Sequence, residues 1–271
     1  KLWERFVASP ERALENDPDV EAISTDAPVT SMQTAPPVGT IYTVTNTSNS
    51  GAGSLRQAIT DANAHAGADT IRFNISGTGV RSIAVTTALP SLTSPVVVDG
   101  WSNPGYTSTP VIELNGSNAG TSVEGLKLAA GSTGSVVRGV IINRFTGNGI
   151  EINSSNNHTI EGNWIGLNAA GTAASANAER GIYASASAGI LVGGTTAASR
   201  NVIAGNGQMG IYFDNVDGSV ISGNYVGTNA SGTGDVNGST ANTYQSGIVL
   251  DNGSSNNLVG GTTAAARNVV S

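Results

Sequence analysis

Cysteine is absent from this 271-residue chain. That removes any disulfide framework and any thiolate metal site, but it does not decide the compartment. Charge is scarce: 11% of residues are Asp, Glu, Lys or Arg, where an average globular domain has about 25%. Aromatic residues make up only 5%, so the core must come from many small aliphatic side chains, closely stacked. No run of about 18 apolar residues occurs, which excludes a membrane-spanning helix. No apolar stretch of signal-peptide type follows Lys1 either. The formal net charge of -7 is uneven, because the first 26 residues hold seven acids and three bases and the rest hold twelve acids and nine bases. No basic patch exists, so no nucleic-acid partner is expected.

Glycine and asparagine are abundant, with 36 and 27 residues. The composition changes along the chain. Residues 1–26 carry a short helical run around Ala13 and Leu14, a break at "NDPD" and an alternating strand "VEAISTD". Residues 27–41, with three prolines, read as an extended linker. From Val44 to Ile75 the order is strand, turn, short helix, strand. Ser54 and Gln57 form the S-x-x-Q pattern of a capping box, in which each side chain serves the other's backbone amide. Leu55, Ala58, Ile59 and Ala62 then make one apolar helix face. Such a short helix is not stable alone, so that face must cover something.

From residue 76 onward, short β-rich runs alternate with Gly, Asn, Ser and Thr. A repeat is explicit from residue 149, marked by Gly-Ile at 149–150, 181–182, 210–211 and 247–248. "VGGTTAASRNVIAGN" at 192–206 returns as "VGGTTAAARNVVS" at 259–271. Length differences fall in loops, which makes the strands the fixed part. Fixed strands with tolerant turns describe a solenoid, and the Gly, Asn and Thr content excludes helical repeats. The fold class is therefore all-β: a right-handed parallel β-helix with a short N-terminal capping helix. Coils stacked about 4.8 Å apart bring equivalent residues into columns. Ile150, Ile182, Ile211 and Ile248 form one inward column, and Ile152, Ala184, Phe213 and Leu250 another. Glu151, Tyr183, Tyr212 and Val249 lie between them and point outward. Asn163, Asn206 and Asn224, each after Gly, are expected at sharp corners, tolerating left-handed backbone and bonding to neighbouring coils.

Gly53-Ser54-Leu55-Arg56-Gln57-Ala58-Ile59 resembles the C-S-L-R-E-A-I motif that caps the N-terminus of bacterial secreted and surface β-helix proteins. Gly stands for Cys, and Gln for Glu. The resemblance implies an extracellular β-helix whose coils begin at the cap. Residues 11–29 more faintly resemble the end of a subtilisin-type protease propeptide, through Leu14, Val20, Ile23 and Asp26, though no protease domain follows. The domains read as 1–26, propeptide-like or a leftover helix and strand; 27–41, linker; 42–75, cap; and 76–271, β-helix. Because the second copy of the repeat stops at Ser271 where the first continues, the expectation is a longer chain or head-to-tail self-association.

Candidate chemistry is sparse. Hydrolysis of glycosidic bonds needs two carboxyl groups roughly 5–10 Å apart. Glu151 and Glu161 share a coil but are expected on different faces, while Asp214 and Asp217 sit in the turn-like "DNVDG". His158 reads as incidental, equivalent to Ser219 and Leu258. Arg200 and Arg267 share a repeat position suited to binding loop carbonyls. Tyr183 and Tyr212 could platform a sugar ring, with Asp214 beside them. No catalytic residue, metal site or cofactor is assigned. Ser54, Leu55, Gln57, Ile59, Asn163, Asn206 and Asn224 are assigned to structure. The function expected is a non-enzymatic extracellular structural or adhesive module, a stalk or fibre unit at the cell surface or secreted, with glycans or surface proteins as partners. The alternatives are a carbohydrate-binding or carbohydrate-degrading β-helix and, more weakly, the non-catalytic region of a secreted protease.

Overall fold

The computed structural model describes residues 39–237 and 247–271. The propeptide-like segment and nearly all of the linker lie outside these residues. The described residues form twenty short strands in three parallel sheets. The first sheet holds β1 (Ile41–Val44), β2 (Asp69–Phe73), β4 (Val96–Asp99), β7 (Val136–Arg138), β10 (Thr159–Glu161), β13 (Leu191–Gly193), β16 (Val220–Ser222) and β19 (Leu258–Val259). The second holds β3 (Arg81–Ala84), β5 (Ile112–Asn115), β8 (Val140–Asn143), β11 (Trp164–Ile165), β14 (Val202–Ile203), β17 (Tyr225–Val226) and β20 (Val269–Val270). The third holds β6 (Leu126–Leu128), β9 (Ile150–Asn153), β12 (Ile182–Ala188), β15 (Ile211–Asp217) and β18 (Ile248–Asp251). From β4 onward every third strand returns to the same sheet, one coil higher. This is a right-handed parallel β-helix, with the hand that twisted strands impose on parallel crossovers.

The inward columns follow directly from register. Ile150 pairs with Ile182, Ile182 with Ile211 and Ile211 with Ile248. Ile152, Ala184, Phe213 and Leu250 are aligned in the same way. Ile150, Ile152, Ile182, Ala184, Ile211 and Phe213 are fully buried, whereas Leu250 on the last described coil is 38% exposed. A smaller second core lies outside the barrel. Loops after β11 and β17 fold back over the second sheet and bury Leu167, Val202 and Ala204 against Trp164, Tyr225 and Ala230.

Helix α1 (Leu55–Ala64) lies between β1 and β2 in the chain. Its buried residues Leu55, Ala58, Ile59 and Ala62 join the main core with Val44, Ile71 and Phe73. Ser54 Oγ accepts a hydrogen bond from the Gln57 amide. The reciprocal half of the capping box is not made: Gln57 Nε2 donates to Asp61 Oδ1 at 2.7 Å, and the Ser54 amide uses Gly51 O. Arg56 ties the helix to the next coil through the Thr87 and Ala88 carbonyls at 2.7 and 2.6 Å. Gly53 is more than a lost cysteine contact. It has φ +74°, and a Cβ there would meet Thr45 Oγ1 at 2.3 Å, so this version of the cap is built around glycine.

The corner asparagines bond to neighbouring coils as expected, but they do not take the left-handed backbone themselves. Gly162, Gly205 and Gly223 take the left-handed backbone, at φ 64°, 68° and 71°, and the asparagines after them do not. Glycine pays no Cβ penalty there, which leaves the Asn side chains free to bond inward. Asn163, Asn201, Asn224 and Asn268 form one ladder, each Oδ1 accepting from the amide of the coil below. Each Nδ2 from Asn163 to Asn224 donates to the next Oδ1, at 3.2, 2.9 and 3.1 Å. Asn206 belongs to a second ladder, accepting from Asn177 Nδ2 at 3.0 Å.

Candidate functional site

The outward face of the third sheet gathers most of the outward-facing chemistry. Pairing stacks Lys127, Glu151, Tyr183, Tyr212 and Val249 in one column. The phenol rings of Tyr183 and Tyr212 lie 5.6 Å apart between centroids with planes 11° apart. Each phenol donates diagonally to a carboxylate on the next coil: Tyr183 to Asp214 Oδ2 at 3.1 Å, and Tyr212 to Asp251 Oδ2 at 3.2 Å. Both phenol pKa values are raised, by burial first and then by the charge and hydrogen bond of those carboxylates. Asn252 Nδ2 adds a bond to Asp214 Oδ1 at 2.7 Å.

Arg180 lies across this pair, its guanidinium carbon 4.8 and 4.9 Å from the two ring centroids. The register explains its reach. Arg180 precedes Gly181, and Gly149 N donates to Arg180 O beneath it. A sugar stacking on the face that Arg180 covers would have to displace the guanidinium. The contact is worth about 0.5–1 kcal/mol at exposed sites.

The lower end of the column is charged. Lys127 Nζ is 2.7 Å from Glu151 Oε1. Glu124, in the loop before β6, lies near the Glu151 carboxyl, and its pKa is raised to about 7. Burial is the main cause; the charges of Glu151 and Glu179 add to it, and the Asn148 amide donating to Glu124 Oε2 opposes it. Glu179 in turn pairs with Arg180 at 3.4 Å.

The remaining candidates are dispersed. Glu161 pairs with Arg138 in the first sheet, away from Glu151. The segment "DNVDG" is strand, not a simple turn, with Asn215 at φ 56°. Asp217 accepts from Ser255 N and Oγ, both at 2.8 Å. Arg200 Nε donates to Gly223 O at 3.1 Å, and its guanidinium stacks 4.3 Å from the Tyr225 ring. His158 is fully buried with neither ring nitrogen hydrogen-bonded, and burial lowers its pKa to about 4. Its register equivalents are Ser135, Ile190 and Ser219. On the next coil the equivalent is Asn257, one residue short of the expected Leu258.

Tyr183, Tyr212 and Asp214 thus stand together on one face, while Ser54, Leu55, Gln57, Ile59, Asn163, Asn206 and Asn224 lie at the cap or in the ladders. Sequence reasoning missed Glu124, Lys127, Arg180 and Asp251. Extending the column downward from Tyr183 would have reached Lys127; Glu124 precedes the explicit repeat and carries no such signal.

Among the described residues no helix is long and apolar enough to cross a membrane, and no cluster of His, Cys, Asp and Glu suits a metal ion. No known family matches the sequence, and no curated protein matches it. Solved structures similar to the chain include the following two. The major allergen from cedar pollen, jun a 1, matches at 14% identity over 70% of this chain and 61% of its own, with a TM-score of 0.41. The Dettilon tailspike protein matches at 14% identity over 84% of this chain and 48% of its own, with a TM-score of 0.28. The chain therefore spans less than two thirds of either. What identifies it is its own strand pairing, that of a right-handed parallel β-helix.

Proposed function

We propose that the chain is a structural or adhesive extracellular module, a rod that holds a surface at a distance or presents one. The observation that carries this reading is the continuity of its ladders. Every coil from β7 to β18 is joined to the next by strand pairing on the three sheets, and the Asn ladder repeats the bond inside. Outside, the polar groups of the third sheet are spent on one another: Tyr183 on Asp214, Tyr212 on Asp251 and Lys127 on Glu151. A catalytic site would be expected to interrupt such a pattern at one coil. Two carboxyl pairs lie on this face, and both are engaged by their neighbours: Glu124 beside Glu151, which Lys127 holds, and Asp214 with Asp251, register partners that each accept from a tyrosine.

The second reading is a glycan-contacting face at Tyr183, Tyr212 and Asp214, favoured by the half-exposed ring pair flanked by carboxylates. Two measurements separate the readings. Incubation with a panel of glycans should release no reducing ends, and release that disappears in Glu151→Gln would defeat the structural reading. Glycan binding that is lost in Tyr183→Ala with Tyr212→Ala would establish the contact face.

A further inference from the structure

Arg81 opens β3, the edge strand of the second sheet. Its register column continues upward through Ile112 and Val140, so a cation occupies the foot of an apolar column. The residue is only 8% exposed. A guanidinium offers five N–H donors and no acceptor. Here Nη1 donates to Gly79 O, and Nη2 to Gly77 O and to Pro104 O, the last at 3.0 Å. Nε is buried and has no acceptor. Among the described residues Arg81 makes no ion pair. A full positive charge is thus largely removed from water against neutral carbonyl dipoles alone, whereas buried charges are normally paired.

The surroundings leave room beside the guanidinium. Gly77, Thr78, Gly79, Pro104, Gly105 and Val111 line a cavity of about 360 Å³ with Arg81. A Cβ built on Gly77 or Gly79 would meet nothing within 4 Å, and one built on Gly105 would lie 3.5 Å from Nη1 and 3.7 Å from Nη2. The space beside the guanidinium is open because its walls are glycine. No second Lys or Arg lines the cavity, so the charge to be matched is one. We propose that this cavity binds a singly charged carboxylate, accepted by Arg81 with the Thr78 hydroxyl on the rim.

The test uses the full chain with arginine labelled by nitrogen-15. Sodium acetate is titrated against sodium chloride at constant ionic strength, following the Arg81 Nε–H resonance and the melting temperature. A saturable shift with acetate, and none with chloride, is expected. Glucuronate run beside glucose asks where the carboxylate comes from. Tighter binding of glucuronate than acetate assigns a sugar-borne carboxylate, and equal binding assigns the free group; a glucose response as large as glucuronate's overturns the proposal. Thr78→Asp, on the exposed rim, supplies an internal carboxylate and should raise the melting temperature while weakening the acetate response at least tenfold. Arg81→Lys keeps the charge but lacks Nε–H, and should weaken acetate's thermal stabilisation at least fivefold. No saturable shift in the parent chain, or an acetate response unchanged in both variants, overturns the site.

Discussion

Protonating His158 would bury a charge with only the Ser135 backbone to favour it, and the fold resists it. Its pKa falls from 6.5 to about 4. Above pH 6.5 both folded and unfolded chains are neutral at this group. As pH falls the unfolded chain takes up the proton first, so stability declines between about 6.5 and 4 and then levels. Glu124 has the opposite sign, because its carboxyl is raised from 4.5 to about 7. The folded chain keeps that proton longer, so its stabilisation is full below 4.5 and is lost as pH rises through 7. Melting temperatures from pH 4 to 8 should therefore lose their acid limb in His158→Ile, which borrows the residue at the register-equivalent position 190, and their near-neutral limb in Glu124→Gln. Unchanged limbs would contradict these assignments. The side-chain register has its own test. Phe213 is fully buried, and Phe213→Ala should cost about 3–5 kcal/mol. Its neighbour Tyr212 faces outward, and Tyr212→Ala should cost less than half as much in denaturant unfolding.

Elements differ in how openly the sequence declares them. The strands of the repeat could be read because alternation places Ile150 and Ile152 inward and Glu151 outward, and four copies repeat the choice. Helix α1 could be read because Ser54 and the apolar spacing of Leu55, Ala58, Ile59 and Ala62 agree. The Asn ladder was legible only in part. Asn201 and Asn268 follow Arg rather than Gly, so the Gly-Asn signature passed over them, although they are rungs beside Asn163 and Asn224. The outer site was harder still, because Glu124 sits in a loop whose position depends on strands not yet paired. Two substitutions weigh these elements. Ser54→Ala should cost about 1 kcal/mol, the usual worth of a helix N-cap. Asn201→Ala strands the Ile160 carbonyl and the Asn163 amide, both hydrogen-bonded to its side chain. At about 1–3 kcal/mol for each buried group left unpaired, it should cost more than twice as much as Ser54→Ala, read from urea midpoints. Equal costs would mean that the ladder is dispensable.

At the scale of the molecule, a solenoid is stabilised by what each coil makes with its neighbours, so a unit removed in register should heal. The 61 residues at 150–210 separate Ile150 from Ile211, which are aligned through Ile182. Deleting them would place Ile211 directly on Leu126, the present partner of Ile150. Gly223 would then succeed Gly162 at its corner, Asn224 would succeed Asn163 in the ladder, and Tyr225 would succeed Trp164 under the outer loop. The loop after β17 would fill the place of the loop after β11, which it already touches through Ala230 N on Gly171 O at 2.8 Å. Mismatches remain: Phe213 replaces Ile152 above Leu128, and overpacking of that kind costs about 1–3 kcal/mol, while Tyr212 replaces Glu151 above Lys127 and Val216 replaces Ser155 above Ser132. The shortened chain should keep a β-rich circular dichroism spectrum and a cooperative melt at a lower temperature. A deletion of 152–211, one residue shorter and joined inside the strand, sets Tyr212 in the place of Ile152, turns the rest of that strand to the other face and should not fold. If the two deletions melt alike, columns in register are not what holds this protein together.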